Sequence, residues 1–258
     1  MIDAHCHLEN ERSPVRPLID KMDAAGVDMA VSLGSGGNPL ERLSSNNDYN
    51  LQAAREYPER IIPFIYFDPR YEKDGLDEID RCMEKGGDII KGIKIGHRFA
   101  VARFMYPMME KASEYKLVVG IHCDSSVRSH PFIIAGLANS FPKVNVIMLH
   151  MSMRQSAAAE LLQIKAAENT PNVLFETSFS NPYPIKMAVE RIGADRIMFG
   201  SDHSILMGAD GYTSVFERAE YEMMIHMDNV RCLDLPREQE DKIMGLNAAR
   251  LFGLEVEK

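Results

Sequence analysis

The chain has 258 residues, and 29 lysines and arginines against 38 aspartates and glutamates leave a formal charge of −9. That acidity excludes a nucleic-acid binder working through a basic face, and a composition of 45% hydrophobic and 26% charged residues excludes wholesale disorder. No window approaches the roughly 20 apolar residues of a membrane span, the start Met1-Ile2-Asp3-Ala4-His5 lacks the basic stretch of a signal peptide, and the four cysteines form no CxxC pair, so the expectation is one soluble, cytoplasmic domain over residues 1–258.

In chain order, short apolar runs alternate with stretches of helical periodicity. The expected strand–helix pairs are Met1–His7 with Pro14–Ala25, Val27–Gly34 with Tyr49–Tyr57, Ile61–Asp68 with Gly75–Lys85, and Ile89–Gly96 with Arg103–Tyr115. Leu117–Asp124 then pairs with Ser129–Phe141, Val144–His150 with Ser152–Glu168, Val173–Ser178 with Pro184–Ile192, and Ile197–Asp202 with Val215–Asp228. Glycine and proline stops such as Gly26, Pro58 and Gly193 separate them. Eight strand–helix units in about 250 residues predict an α/β fold, the (β/α)8 TIM barrel. A last helix, Arg237–Phe252, is expected to pack on the outside.

Alternate residues of a barrel strand point to the interior. Placing isoleucines, valines and phenylalanines toward the helices leaves Asp3, His5 and His7 inward on the first strand, Lys94 on the fourth and His122 on the fifth. Setting Ile147 and Leu149 outward puts Met148 and His150 inside, and the last strand contributes Gly200 and Asp202. Each polar group lies near the C-terminal end of its strand, where barrel enzymes carry their sites. Lys94, His122 and His150 fall 28 residues apart, and Asp202 follows 52 later, so one repeating unit accounts for the register.

His5-x-His7 on extended chain sets two imidazoles about 7 Å apart on one side. With His122 and Asp202 they make an N,N,N,O donor set suited to Zn²⁺ or another first-row divalent ion, with a position left for water. Such an ion brings the pKa of bound water toward about 7. Asp202 then serves as proton acceptor and His150 orients the reacting carbonyl.

Ile2-Asp3-Ala4-His5-Cys6-His7, Gly120-Ile121-His122, Met148-Leu149-His150, Phe199-Gly200-Ser201-Asp202 and Asn247-Ala248-Ala249-Arg250-Leu251-Phe252-Gly253-Leu254 resemble the amidohydrolase superfamily, and within it the branch of aminocarboxymuconate semialdehyde decarboxylase. The resemblance spans almost the whole chain. It implies metal ligation by His5, His7, His122 and Asp202 and a catalytic role for His150 and Asp202. It also implies one Zn²⁺, with Mn²⁺ or a second metal as variants, a small-molecule substrate, no nucleic acid or membrane partner, and a homodimer as the expected assembly. Binuclear members carry a carbamylated lysine on the fourth strand, which makes Lys94, flanked by Gly92 and Gly96, a further metal-ligand candidate. The other reading of Lys94 is a cation that holds a substrate carboxylate or pairs with Asp202.

The favoured activity is hydrolysis of a small carboxylate-bearing ester, lactone or amide, with non-oxidative decarboxylation as the alternative. A TatD-like deoxyribonuclease or a phosphoesterase shares the opening motif, but Lys94 and Gly200-Ser201-Asp202 depart from the TatD pattern. His97, Arg98, Arg128 and His203 are expected in loops over the mouth, able to clamp an anionic substrate. Tyr183 is a weaker candidate there, His130 is read as a helix-start residue and His226 as exposed. Gly34-Ser35-Gly36-Gly37 lacks the lysine of a phosphate loop and is read as a flexible mouth loop. Cys6 and Cys123 face away from the site by parity. Asp3 is read as a buttress of the first strand, and Glu176 as a support behind the ligands.

Overall fold

The computed structural model describes residues 1–8, 14–96, 103–124, 126–151, 157–203 and 220–255. Eight parallel strands run in sequence order around one sheet: β1 (Ile2–Cys6), β2 (Met29–Ser32), β3 (Ile61–Phe67), β4 (Gly92–Ile95), β5 (Val118–His122), β6 (Val146–Leu149), β7 (Val173–Glu176) and β8 (Ile197–Met198). Ala4 N–H donates to Phe199 O at 2.8 Å and His7 N–H to His203 O at 2.9 Å, which draws the last strand to the first. The predicted (β/α)8 barrel is therefore the fold. Helices α1 (Val15–Ala25), α2 (Leu40–Glu56), α3 (Glu72–Gly86), α4 (Met105–Glu114), α5 (Pro131–Ser140), α6 (Ala157–Ala167), α7 (Pro182–Ile192) and α8 (Glu220–Arg231) connect or follow the strands. Among the described residues no helix is long and apolar enough to cross a membrane.

Two apolar clusters separate inside from outside. Ala30, Ile65, Ile93, Ile121, Met148, Phe175 and Phe199 pack against the helices. Val31, Ile62, Phe64, Val118, Ile147, Leu149, Leu174 and Met198 fill the barrel. Parity thus holds on β4, β5, β7 and β8 and is reversed on β6, where Ile147 and Leu149 point in and Met148 points out. On β1 the interior cluster takes Ile2 and Ala4 while Cys6 joins the outer one, because the register shifts between Asp3 and Cys6. That bulge resets the alternation so that His5 and His7 still face inward.

The C-terminal segment does not lie on the outside as one helix. It breaks into α9 (Arg237–Asp241), a wider turn over Lys242–Leu246 and α10 (Asn247–Phe252). Ala248, Ala249 and Phe252 belong to the interior cluster, and the Phe252 ring meets Phe64 edge-on at 5.7 Å. This last turn of chain stoppers the barrel floor. Ile243 O accepts from Phe199 N–H at 2.8 Å and so continues the bonding of β8.

Between β2 and β3 the ladder stops at Ser32–Pro63, since proline has no N–H to continue it. Helix α2 takes over. Asn47 Nδ2 donates to Tyr66 O (3.2 Å) and its Oδ1 accepts from Tyr66 N–H (2.7 Å), while Asn50 Nδ2 donates to Phe64 O (3.2 Å). Asn46 Nδ2 holds the carbonyls of Ser35 and Gly36. The predicted helix began at Tyr49; it begins at Leu40 because its buried face is asparagine rather than apolar. The glycine loop, expected to be flexible, is thus held at three carbonyls, by Asn46 at Ser35 and Gly36 and by the Tyr71 hydroxyl at Gly37.

Candidate active site

The C-terminal ends of β1, β5, β6, β7 and β8 bring one set of buried polar groups together. Asp202 Oδ1 lies 2.9 Å from His5 Nε2 and 3.0 Å from His7 Nε2, and the two Nε2 atoms are 3.1 Å apart. His5, His150 and Asp202 offer ligand atoms within 4.8 Å of one another. The rings form a row, with His5 5.1 Å from His7 and 4.7 Å from His150, and His150 4.8 Å from His122.

Each imidazole is oriented from behind. His5 Nδ1 bonds Glu176 Oε1 at 2.8 Å, and His7 Nδ1 bonds Gly34 O at 3.2 Å. A carbonyl only accepts, so His7 carries its proton on Nδ1 and turns the Nε2 lone pair to Asp202 and His5. His150 Nδ1 meets Ser178 Oγ at 2.8 Å, and Ser178 Oγ donates to Glu176 Oε1 at 2.8 Å. Glu176 also accepts from the backbone N–H groups of His150 and Ser178. It is wholly buried; burial raises its pKa, but His5, His150 and these bonds bring it down to about 2. A Cβ on Gly200 would stand 2.3 Å from Glu176 Oε2, so only glycine at this position just after β8 leaves that carboxylate room.

Charge sets the protonation pattern. Burial lowers His5, but the carboxylates of Asp202 and Glu176 outweigh it and raise it to about 10. A proton on His5 Nε2 then lies inside the His5–His7–Asp202 triangle. His7 falls to about 4 through burial and the nearby positive charge of Lys94. His150 also falls to about 4; burial leads, and the charges of His5 and Lys94 add to it against Asp202 and Glu176. Asp202 is held well below the carboxylate range, the imidazoles outweighing burial.

Three bulky positive-φ residues ring the site: His150 (65°), Phe179 (55°) and Asp202 (54°). His150 reaches the interior through this left-handed turn rather than through strand parity, and Gln163 on α6 donates to its carbonyl at 2.9 Å. Asp3, the expected buttress, accepts from His5 N–H, Ser201 N–H and Ser201 Oγ at 3.0, 3.0 and 2.5 Å, and so latches the β1 bulge to the chain after β8.

The candidates divide as follows. His5, His7, His150 and Asp202 come together. His122 stands one ring further out, its Nε2 3.4 Å from Asp124 Oδ2. Lys94 points inward, with Nζ 5.2 Å from the Tyr66 ring centroid; the space beside Gly92 and Gly96 goes to the rings of Phe64 and Tyr66. His203 is not brought to the mouth: it is fully buried, bridges Cys6 and places Nε2 3.4 Å from Lys21 Nζ on α1. Arg128 is exposed, whereas His97 and Arg98 lie outside the described residues. Tyr183 is exposed at the start of α7, and His130 caps α5. His226, expected in solvent, is buried against Phe179, the rings 5.7 Å apart. Cys6 and Cys123 face the helix layer, and burial pushes the Cys123 thiol up to about 12. Ser178, Tyr66 and Phe179 went unnoticed in the sequence, and Ser201 was read only as part of its motif; for Ser178 a signal existed, its place two residues after an inward glutamate.

Residues 2–254 match the family model described as amidohydrolase. A 4-oxalomesaconate hydratase from Rhodopseudomonas palustris is similar in fold at 17% identity, over 98% of this chain and 95% of that one, with a TM-score of 0.70. A probable 2-pyrone-4,6-dicarboxylic acid hydrolase from Acinetobacter baumannii, with citric acid bound, shares 14% identity over 98% and 99% of the two chains, TM-score 0.70. A dihydroxybenzoic acid decarboxylase from Polaromonas sp. JS666, with bound manganese and 2-nitroresorcinol, shares 15% over 99% and 97%, also at 0.70.

Proposed function

The chain belongs to the amidohydrolase family, and from that premise we propose a metal-dependent hydrolase acting on a small carboxylate-bearing ester, lactone or amide. The observation that carries the reading is the triangle of His5 Nε2, His7 Nε2 and Asp202 Oδ1, with sides of 2.9 to 3.1 Å. Donors about 2.0–2.1 Å from a tetrahedral ion lie about 3.3 Å from one another, so these three atoms fit one small divalent cation with little rearrangement. Zn²⁺ is the proposed ion, with Mn²⁺ or a second metal as alternatives. His5, His7 and Asp202 would hold it, His150 stands within reach, and His122 and Lys94 remain further candidates. When bound, such an ion supplies Lewis acidity toward a carbonyl and acidity to water.

The chain's own residues supply the rest. Asp202 offers Oδ2 as proton acceptor while Oδ1 faces the two imidazoles. His150, neutral and with Nδ1 engaged by Ser178, offers Nε2 to orient or accept from a reacting group. The Phe179 ring stands 5.6 Å from His150 and gives that side an apolar wall. Glu176 holds His5 and the His150 backbone in one rigid frame.

The second reading is non-oxidative decarboxylation, the activity named for the Polaromonas neighbour. Both readings draw on the same donors and on His150, so the products decide between them. The deciding experiment incubates metal-loaded protein with a panel of lactones, esters and amides bearing a carboxylate, alongside dihydroxybenzoates, in ¹⁸O-labelled water. Label in the product without carbon dioxide is expected. Carbon dioxide release without label would replace hydrolysis by decarboxylation, and fast turnover of bis(p-nitrophenyl) phosphate would replace both by a phosphoesterase.

A further inference from the structure

Two flanks of the mouth carry side chains whose contacts bear on the shape and charge of a substrate. On one, Tyr66 and Lys94 are register partners on β3 and β4. The ring of Tyr66 is buried, and its hydroxyl, which lies against Gly96, carries a proton to donate. A Cβ on Gly96 would fall 1.9 Å from that hydroxyl, and one on Gly36 would fall 3.0 Å from the ring. The slot is therefore cut to the tyrosine by two glycines, and Asn47 fixes the backbone behind it through both its N–H and its C=O. Lys94 sets its half-buried ammonium over this ring at 5.2 Å. A cation and a hydroxyl donor on adjacent strands make a fork for a carboxylate.

On the other flank stands Phe179. Its φ of 55° is a conformation a bulky residue rarely adopts. The turn that imposes it is closed by Ser180 N–H to Thr177 O at 3.1 Å and tied by Asn229 Nδ2 to Ser180 O at 3.0 Å. Glycine or asparagine would suit that turn position, yet it holds an aromatic ring, half-exposed, with His150 and His226 at 5.6 and 5.7 Å. Strain of this kind gathers at binding sites.

Building on the hydrolase reading, we propose that Lys94 and Tyr66 anchor a substrate carboxylate on the β3–β4 side, while Phe179 receives the flat apolar part on the β7 side. The substrate then lies across the His5–His150 row in one orientation, and these three residues set specificity.

The test uses Zn²⁺-loaded protein and three probes in calorimetric titrations: benzoate, its neutral isostere benzamide, and acetate. Benzoate is expected to bind more tightly than either of the others. Lys94→Met weakens benzoate and acetate about tenfold and leaves benzamide unchanged, and Lys94→Arg recovers part of the loss. Phe179→Ala weakens benzoate and benzamide several-fold and spares acetate. Metal content is measured on every variant. Loss of the ion from Lys94→Met would make Lys94 a ligand and overturn the proposal, as would equal benzoate affinity in Lys94→Met and wild type. Wild-type protein that takes up no metal refutes the hydrolase reading instead, and the contrast between benzoate and benzamide is then read on the metal-free chain.

Discussion

Asn47 stands in for a missing length of strand, and Asn47→Ala tests how much that substitution is worth. The wild-type amide serves both the N–H and the C=O of Tyr66 and also donates to Glu78 Oε1 at 2.9 Å, all in buried surroundings. Alanine removes the amide and leaves two backbone groups of β3 without that partner. A buried unsatisfied group costs about 1–3 kcal/mol, so two amount to about 4 kcal/mol. That is a large part of the roughly 5–15 kcal/mol by which a native protein is stable. With a urea slope of about 3 kcal/mol per molar, the unfolding midpoint falls by about 1.3 M, read by circular dichroism. Lys73→Ala, which removes an exposed ion pair with Asp77, is the control and leaves the midpoint where it is in wild type. A loss below about 1 kcal/mol for Asn47→Ala would show that Tyr66 finds other partners, and the view of α2 as a surrogate strand would have to be dropped.

Four more outcomes follow from the same structure. Phe252→Ala empties the barrel floor beside Phe64 and lowers stability by about 3–5 kcal/mol in denaturant titrations, with metal stoichiometry by plasma mass spectrometry unchanged. Gly200→Ala drives a methyl into Glu176 and to 3.1 Å from His5 Cβ; the variant folds but retains less than half the metal of wild type, and full occupancy would contradict the assigned role of Glu176. The pKa of His5 in the folded metal-free chain is raised from 6.5 to about 10, so its ion pairs stabilise that form fully below about pH 6.5 and cease to do so as pH rises through about 10. Metal loading at pH 8 therefore expels close to one proton per chain, measurable by calorimetry in buffers of different ionisation enthalpy; no proton release would overturn this protonation scheme. At position 179, glycine accepts a positive φ that costs alanine on the order of 1 kcal/mol, so Phe179→Gly melts above Phe179→Ala.

The barrel was legible because its strands, buried on both faces, read as short apolar runs closed by turns. Inward direction was legible wherever a strand alternates isoleucine with something smaller or charged, as Gly92-Ile93-Lys94-Ile95 does. It was not legible in Val146-Ile147-Met148-Leu149, where both faces are apolar and hydrophobicity offers no contrast. His150 was placed in the site for the wrong reason, since a left-handed backbone turn and not alternation brings it inward. Asp202 shares that device. Helix α2 hides its first two turns because its buried face is asparagine. Helix α6 misleads the other way: it buries Glu160 and Gln163 while Leu161 and Leu162 stay partly exposed, since Gln163 is needed behind His150. His5, His7 and Asp202 were legible as a set, with Glu176 as a support behind them, but that Glu176 holds His5 and the Gly34 carbonyl holds His7 became clear only once the strands were laid side by side.

The β8–β1 junction has a consequence for how the molecule matures. His5 lies on β1 with His7 just past it, Asp202 lies shortly after β8, and β8 itself is only two residues long. The donor triangle forms only when β1 and the segment after β8 have met, so on the proposed reading an ion would be captured only after the ring has shut. Such an ion would clasp this short join together with the Asp3–Ser201 latch. Metal content would then double as a count of properly closed barrels, and starvation for the ion would surface as faster turnover of the protein as well as lost activity.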